Sequence, residues 1–203
     1  VMFSHFGTMH SFSSSMMGIF NVYNLMAAVA AVHITTNKPL DEICEALEGF
    51  AGVSGRMETI SSNPLIIVDF AHTPDGMKEV LQSFNEKDII CVFGAGGDRD
   101  KAKRPLMGSV AASYSKHIIV TSDNPRFEDP DMIIEDILKG IKSHKSVEVE
   151  INRKEAIKKA IAMADENSVV LILGKGDEST QTIYDKKFPF SDKEEVLKVI
   201  NKE

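Results

Sequence analysis

The stretch KHIIVTSDNPRFEDP, residues 116–130, decides the fold of this chain. Its first five residues form a short apolar run typical of a buried β-strand, and Asp129-Pro130 is typical of the N-cap and first turn of an α-helix. Residues 121–126 therefore lie in a strand-to-helix loop at the carboxyl end of a strand, where open α/β sheets bind ligands. The alternative for this loop is an Asn-Pro turn with a solvated arginine.

The same alternation of short β-rich runs and amphipathic helical patterns extends over most of the chain. The strand candidates are 65–70, 88–93, 117–121, 147–151 and 168–173. Strands that are apolar on both faces and separated by helices are typical of parallel sheets covered on both sides. The sequence therefore predicts an α/β fold with a Rossmann-like, doubly wound, mostly parallel sheet and right-handed crossovers.

Two helical patterns precede this alternation. Residues 18–33 are apolar nearly all round, which predicts a buried helix, and residues 40–50 repeat apolar side chains at helical spacing. The first helical pattern begins only near Gly18, after a Ser- and Met-rich segment at residues 11–17. The sequence leaves open whether residues 1–17 are ordered, and they are expected to be mobile or packed unnaturally. We expect one domain in residues 1–62 and a second in residues 63–203.

Composition limits the classes of function. A formal net charge of -7 without clustered Lys and Arg argues against nucleic-acid binding. Cys44 and Cys91 lie among apolar neighbours and lack the spacing of metal ligands, which favours buried thiols in a reducing compartment. No apolar stretch approaches the length of a membrane span, and the opening segment lacks the basic residues of a signal peptide. A cytoplasmic protein that binds small molecules, without membrane contact, is expected.

Four loops that follow strand candidates carry polar or glycine residues, and they span 71–76, 94–101, 121–126 and 174–178. In a parallel sheet these loops meet at one edge and form one ligand site. The glycine-rich loop does not fit G-x-G-x-x-G, because Arg99 occupies the last glycine position. A dinucleotide-dependent oxidoreductase is therefore disfavoured. The chain also contains no G-x-x-x-x-G-K-[ST] phosphate loop.

Six ordered stretches resemble the motifs of the Mur ligases, and the likeness covers nearly the whole chain from about Ser14. They are 18–24, 54–58, 69–75, 94–105, 122–126 and 174–178. The resemblance implies that residues 1–62 are the helical end of a central ATP-binding domain and residues 63–203 a C-terminal amino-acid-binding domain. The phosphate loop and the ligands of Mg²⁺ are then expected in sequence outside this chain, which binds and orients substrates without turnover.

The activity implied by the resemblance is an ATP-dependent amide ligase of cytoplasmic peptidoglycan precursor synthesis. ATP phosphorylates the D-glutamate carboxylate of UDP-MurNAc-L-Ala-D-Glu, and the amine of meso-diaminopimelate then displaces phosphate from the acyl phosphate. The implied diaminopimelate site consists of Arg99, Asp123, Asn124, Pro125, Arg126, Gly174 and Glu178. The implied ATP contacts are Asn24 to adenine, Arg56 to phosphates, Asp69 to ribose, and His72 to ribose or phosphate.

The choice of amino acid follows from charge. meso-Diaminopimelate differs from L-lysine by a second carboxylate beside its distal ammonium, so a selective site needs a cation and an anion close together. Arg126 can hold the carboxylate with two N–H groups, Asn124 can add a hydrogen bond, and Glu178 can receive the ammonium. An unpaired Arg126 disfavours lysine by on the order of a few kcal/mol. An L-lysine-adding ligase and a non-catalytic α/β binding module remain the alternatives.

Structural roles stay open for the ATP residues. Asn24 can bond to a helix neighbour, Arg56 can be a surface charge, and Asp69 can cap the next helix. A lone His72 at a strand end is more often a hydrogen-bonded structural residue than a catalyst.

Two positions depart from the family pattern. Asp177 stands where histidine is usual, and the extra carboxylate is expected to attract an ammonium and to raise the pKa of Glu178. Phe70 stands where tyrosine is usual.

In the basic segment 101–104, the side chains of Lys101, Lys103 and Arg104 are expected to form a solvated helix start. A monomer is expected.

Overall fold

The computed structural model of the chain describes residues 1–142 and 146–201. The chain divides into two compact units, Val1–Val53 and Ser54–Glu203. Within the second unit the strand Glu58–Ser62 pairs with the strand Leu65–Asp69. The assignment of residues 1–62 and 63–203 to two domains of a ligase stays a prediction.

The first unit contains two strands, β1 (Met2–His5) and β2 (Thr8–Ser11), and two helices, α1 (Ile19–Thr36) and α2 (Leu40–Glu48). The two strands form an antiparallel hairpin. Its turn takes φ values of 47° at Phe6 and 82° at Gly7, a left-handed conformation that glycine favours. The opening segment, whose order the sequence left open, thus contains a regular hairpin.

Helix α1 forms as predicted, but it is not buried all round. Leu25 and Val29 lie in a small core, whereas Tyr23 and Ile34 are exposed. The unit places one apolar layer against one side of the helix, and the other sides stay open. By length and composition alone α1 is apolar enough to cross a membrane. The expectation that no stretch approaches that length is wrong, although core helices of soluble proteins and signal sequences meet the same criteria.

The second unit is built around a six-stranded sheet in the order β3-β4-β8-β5-β6-β7. The strands are β3 (Glu58–Ser62), β4 (Leu65–Asp69), β5 (Asp88–Phe93), β6 (His117–Val120), β7 (Val147–Val149) and β8 (Ser168–Leu173). Neighbours pair in parallel except β3, which runs antiparallel to β4. The predicted mostly parallel sheet is confirmed.

Helices connect the strands and cover the sheet. They are α3 (Pro74–Gln82), α4 (Lys103–Tyr114), α5 (Pro130–Leu138), α6 (Arg153–Met163) and α7 (Asp192–Ile200). Local sequence sets several of their starts, since Asp129 and Asn152 accept hydrogen bonds from the first turns of α5 and α6. Every residue of β8 is buried, as expected for the centre of a sheet. This apolar core fixes the strand ends that carry the polar loops.

A second hairpin, β9 (Thr180–Ile183) and β10 (Lys186–Pro189), follows the last central strand and was not predicted. Strand β9 runs beside the loop that follows β6. The backbone N–H of Arg126 donates to the carbonyl of Thr182 at 3.1 Å, and the N–H of Tyr184 donates to the carbonyl of Arg126 at 2.7 Å. These bonds fix the backbone of the loop at its arginine.

Candidate functional site

Loops from the carboxyl ends of β4, β5, β6 and β8 enclose a cavity of about 260 Å³. Seven of the predicted site residues line it: His72, Arg99, Asp123, Asn124, Arg126, Gly174 and Glu178. The edge of the sheet that the sequence indicated therefore brings both charges of the predicted pair into one hollow. Pro125 lies on the other side of its loop and lines an adjoining groove.

The glycine-rich loop after β5 packs directly against the loop after β6. A Cβ atom on Gly97 would stand 1.9 Å from the carbonyl oxygen of Pro125, and one on Gly94 would stand 2.3 Å from that of Thr121. Side chains at these positions would push the two loops apart. The glycines at these positions thus allow the two loops to make direct contact.

Arg126 occupies the left-handed region with a φ of 52°. This strained conformation is held by the bonds of its backbone to β9. Its Nη1 donates to the carbonyl of Gly97 at 2.8 Å and, more weakly, to that of Asn124 at 3.4 Å. Its Nε and Nη2 atoms donate to no acceptor within the described part of the chain. That free edge of the guanidinium is suited to a carboxylate, which it can bind through two parallel hydrogen bonds.

Glu178 is held by two donors. Lys175 Nζ and Asn124 Nδ2 each lie 2.8 Å from its Oε2 atom. Burial by itself raises the pKa of Glu178, but these hydrogen bonds and the charges of Lys175 and Arg126 lower it below its usual value. The carboxylate is therefore ionised at neutral pH and can receive an ammonium.

Asp123 adds a second carboxylate to the cavity. It is buried, and a Cβ atom on Gly174 would stand 2.7 Å from its Oδ2 atom, so the glycine leaves room for this side chain. Its carboxylate accepts no hydrogen bond from the residues that the structure describes. The acids Asp123 and Glu178 thus share the hollow with the cations Arg99, Lys103 and Arg126. Such a mixed lining can accept a group that carries both an ammonium and a carboxylate.

The basic segment at the start of α4 is not solvated as expected. Arg104 is fully buried, because Glu128 and Asp136 neutralise it and the carbonyl of Gly96 accepts a further bond at 3.3 Å. Lys103 is half-buried, lines the cavity and donates to the carbonyl of His72 at 2.9 Å. Burial lowers the pKa of Lys103, an effect that nearby Asp123 opposes. Lys101 is exposed, and its Nζ lies 3.0 Å from Glu128.

Lys175 contacts the site, but the sequence did not indicate that it would. It lies between two glycines directly after a buried strand, a position that could have signalled a constrained side chain. The expected effect of Asp177 is also wrong. Asp177 is exposed and lies outside the cavity wall, and the pKa of Glu178 is lowered, since Lys175 and Asn124 dominate its surroundings.

Of the residues predicted to contact ATP, Arg56 and His72 both lie beside Phe70 in the second unit. The guanidinium of Arg56 lies 4.2 Å from the centre of the ring of Phe70. The ring of His72 packs edge-on against the same phenylalanine. His72 Nδ1 lies 2.9 Å from the carbonyl of Phe70. Phe70 therefore orients one cation by a cation–π contact, a role that its ring retains without the usual hydroxyl.

Asp69 and Asn24 are both held by hydrogen bonds within their own units. The carboxylate of Asp69 accepts from the backbone N–H groups of Met57 and Ala71, both at 2.7 Å, and burial raises its pKa despite these bonds. Asp69 thus ties the loop before β3 to the end of β4. In the first unit, the exposed Asn24 donates to Asn21 at 3.2 Å. Asp69 does not line the cavity of its unit, and the contacts of both residues with ATP stay predictions.

Comparison with known proteins gives one family. Residues 55–176 match the family described as Mur ligase, glutamate ligase domain. A UDP-N-acetylmuramoyl-L-alanyl-D-glutamate--2,6-diaminopimelate ligase of Wolinella succinogenes is 52% identical over 190 residues, which cover 94% of this chain and 44% of the relative. Its counterpart in Helicobacter pylori is 51% identical over 183 residues, 90% of this chain and 41% of the relative.

A solved structure with the same protein name superposes on this chain with a TM-score of 0.73 at 37% identity. The alignment covers 96% of this chain and 41% of that structure. The chain therefore spans less than half the length of the relatives it matches.

Proposed function

Because the chain belongs to the Mur ligase family through its glutamate ligase domain, we propose that it is the amino-acid-binding part of an ATP-dependent amide ligase. The complete enzyme adds meso-diaminopimelate to UDP-MurNAc-L-Ala-D-Glu during peptidoglycan precursor synthesis in the cytoplasm. Relatives with about half of their aligned residues identical carry this activity in their names, which supports the proposal.

The observation that carries the proposal is that Arg126 and Glu178 line the same cavity. The free edge of Arg126 binds the distal carboxylate of diaminopimelate, and Asn124 adds a hydrogen bond to the same group. Glu178 and Asp123 receive the distal ammonium. L-Lysine has that ammonium but lacks the carboxylate, so it leaves Arg126 unpaired in a half-buried place. This argues against a lysine-adding ligase.

In the proposed reaction this chain orients the amine that attacks. The carboxylate of the dipeptide must first become an acyl phosphate, because oxide is too poor a leaving group for direct attack by an amine. When the distal end of diaminopimelate is fixed by two charges, the other end can point only in a restricted set of directions. The gain is one of positioning, since the amine no longer needs to find the acyl phosphate by diffusion. Arg99 and Gly174 complete the wall that confines the amino acid.

ATP is expected to contact this chain through Arg56 and His72, with Asn24 and Asp69 as the further predicted contacts. Arg56 carries a cation on an exposed loop, and Phe70 keeps that cation in place. Among the described residues, no three side chains of His, Cys, Asp or Glu come together as a metal site. The ligands of Mg²⁺ are proposed to belong to the rest of the complete enzyme.

Calorimetry on the 203-residue chain tests the proposal. meso-Diaminopimelate is expected to bind, and Arg126→Ala is expected to weaken binding by roughly 100-fold, because a charged partner is lost from a desolvated site. Lys116→Ala is the matched control. It removes a cation that is exposed at the other end of β6, and it should leave the affinity unchanged. Absence of binding by the wild-type chain and by every diamino acid would favour the non-catalytic module.

A reconstitution experiment tests the catalytic half of the proposal. The chain is mixed with a separately expressed fragment of a relative that supplies the phosphate-binding loop and the UDP-binding domain. Release of ADP that depends on both meso-diaminopimelate and the dipeptide is the expected result. Release that is equally fast with L-lysine would contradict the proposed selectivity. Analytical ultracentrifugation of the 203-residue chain alone checks whether it is a monomer, as proposed.

A further inference from the structure

Lys175 is a fully buried cation that the proposed reaction does not use. It lies in the loop after β8, and its side chain is 0% exposed. Lysine is almost never fully buried unless its charge is paired. The residue is absent from the wall of the cavity, whereas its neighbours Gly174 and Glu178 belong to that wall. Any effect of Lys175 on the cavity therefore passes through the residues that it touches.

The ammonium group of Lys175 uses all three of its N–H donors. It donates to Glu178 Oε2 at 2.8 Å, to the carbonyl of Thr180 at 2.8 Å and to Asn124 Oδ1 at 3.3 Å. Two of these partners, Glu178 and Asn124, are cavity residues on different loops. A full set of donors in a buried place fixes the geometry of every acceptor, because breaking one bond leaves a buried polar group unpaired.

The amide of Asn124 is oriented by this arrangement. Its Oδ1 atom accepts from Lys175 and from the backbone N–H of Thr182, the latter at 2.8 Å. The Nδ2 atom must then lie on the opposite side, where one N–H donates to Glu178. The second N–H of Nδ2 has no acceptor in the described residues. It is a spare donor at the edge of a cavity that Arg126 also lines.

We propose that Lys175 is a positioning residue that sets the preference for meso-diaminopimelate over L-lysine, by presenting Asn124 as a donor and by holding Glu178 in place. This inference rests on the proposed function. Without Lys175 the amide oxygen of Asn124 keeps one donor, the backbone N–H of Thr182, instead of two, so the orientation that presents Nδ2 to the distal carboxylate is held less firmly. The hydrogen-bonded group of Lys175, Asn124 and Glu178 would also lose one positive charge. Both changes disfavour the carboxylate that distinguishes diaminopimelate, whereas the ammonium that lysine shares is favoured.

The variant that tests the inference is Lys175→Met, which keeps the length of the side chain and removes its charge and donors. Calorimetry on the full chain gives the ratio of the Kd of L-lysine to that of meso-diaminopimelate. This ratio should fall by about tenfold or more, the size expected for one charge-assisted contact. Lys116→Met, the same change at an exposed position, should leave the ratio unchanged. A folded Lys175→Met chain with an unchanged ratio would overturn the inference.

A measurement without ligand separates this inference from the proposed function. The pKa of Glu178 is followed by ¹³C NMR of its carboxyl carbon. It should rise in Lys175→Met, because the cation that lowers it is gone. An unchanged pKa overturns the positioning role, whether or not any amino acid binds. If the wild-type chain binds neither amino acid, the proposed function fails and the assigned preference fails with it, although a raised pKa still establishes the contact.

Wild-type protein provides the decisive measurement if Lys175→Met does not fold. The side-chain amide protons of Asn124 are observed by ¹H–¹⁵N NMR during titration with each amino acid. meso-Diaminopimelate should shift the proton of Nδ2 that does not donate to Glu178, and L-lysine should leave that proton in place. Backbone shifts at Gly174 report that each ligand is bound. Binding of diaminopimelate without a shift of either amide proton would overturn the inference.

Discussion

The guanidinium of Arg104 forms two parallel hydrogen bonds to the carboxylate of Glu128, at 2.9 and 3.0 Å. Arg104 belongs to helix α4, and Glu128 belongs to the loop between β6 and α5. The backbone N–H of Asp98 also donates to Glu128 at 2.7 Å, so one carboxylate joins the two loops that carry Arg99 and Arg126. The pair thus supports the proposed binding site from behind without taking part in it.

Stability should depend on pH through Glu128. The hydrogen bonds from Arg104 lower the pKa of Glu128 from 4.5 to about 2. The stabilisation is therefore complete above pH 4.5 and is lost as the pH falls from 4.5 toward 2. Urea unfolding at a series of pH values should show this loss in the wild type and a smaller loss in Glu128→Gln. Equal slopes in the two proteins would refute the contribution.

Contact between the glycine-rich loop and its neighbour can be tested by Gly97→Ala. The added methyl group would meet the carbonyl of Pro125, so the loops must separate, at a cost of about 1–3 kcal/mol in the free energy of unfolding. Binding of meso-diaminopimelate should weaken as well. Gly49→Ala is the control, since a Cβ atom there meets nothing within 4 Å. A wild-type affinity in Gly97→Ala would show that loop contact is dispensable for the site.

The geometry of the proposed carboxylate contact can be separated from its charge by Arg126→Lys. Lysine retains the positive charge but cannot form two parallel hydrogen bonds, so the Kd of meso-diaminopimelate should rise by about 10-fold or more. The affinity for L-lysine should change little. Arg56→Lys makes the same substitution outside the cavity and should not affect either amino acid. Retained affinity in Arg126→Lys would mean that charge alone suffices.

Arg153 and Asp192 form a buried ion pair, with Nε bonded to Oδ1 at 2.7 Å and Nη2 to Oδ2 at 2.8 Å. Arg153→Met should destabilise the protein by about 3–5 kcal/mol, because it leaves an unpaired carboxylate in the core. The double variant Arg153→Met/Asp192→Leu should recover much of that loss. Chemical denaturation of the three proteins provides the measurement. A double variant as unstable as the single one would argue that the pair stabilises in its own right.

Binding of meso-diaminopimelate should persist into mildly acidic solution. The lowered pKa of Glu178 keeps its carboxylate ionised when most glutamates are half protonated. Affinity should therefore decline only below the usual glutamate range, and the decline should disappear in Glu178→Gln, whose affinity is low at every pH. Calorimetry between pH 7 and about pH 3 measures this dependence. An early decline near pH 6 would assign the titration to another group.

The central sheet could be predicted because its strands carry their own signal. Residues 88–93 and 168–173 are continuous apolar runs, and such runs have few other stable locations. The hairpin of β9 and β10 was not predicted, because none of its residues is buried and its sequence shows no alternation of apolar and polar residues. Its position depends on bonds to Arg126, a residue far away in sequence.

The candidate site shows the same division. Arg126 and Glu178 could be placed together because both follow parallel strands of one sheet. Arg104 was misjudged, since its acidic partners lie 24 and 32 residues further along the chain. Nothing local to residues 101–104 reveals that a folded loop will cover one of three similar cations. The role of Lys175 likewise depends on Asn124, 51 residues away.

The contact of Gly97 with Pro125 has a consequence for how such a site can diversify. The two main chains touch with no side chain between them, so neither loop can be lengthened or shortened without moving its neighbour. New amino-acid preferences are then reached by exchanging side chains on an unchanged pair of loops. Relatives that accept other amino acids should accordingly keep the lengths of these two loops and differ in the residues that follow Asp123.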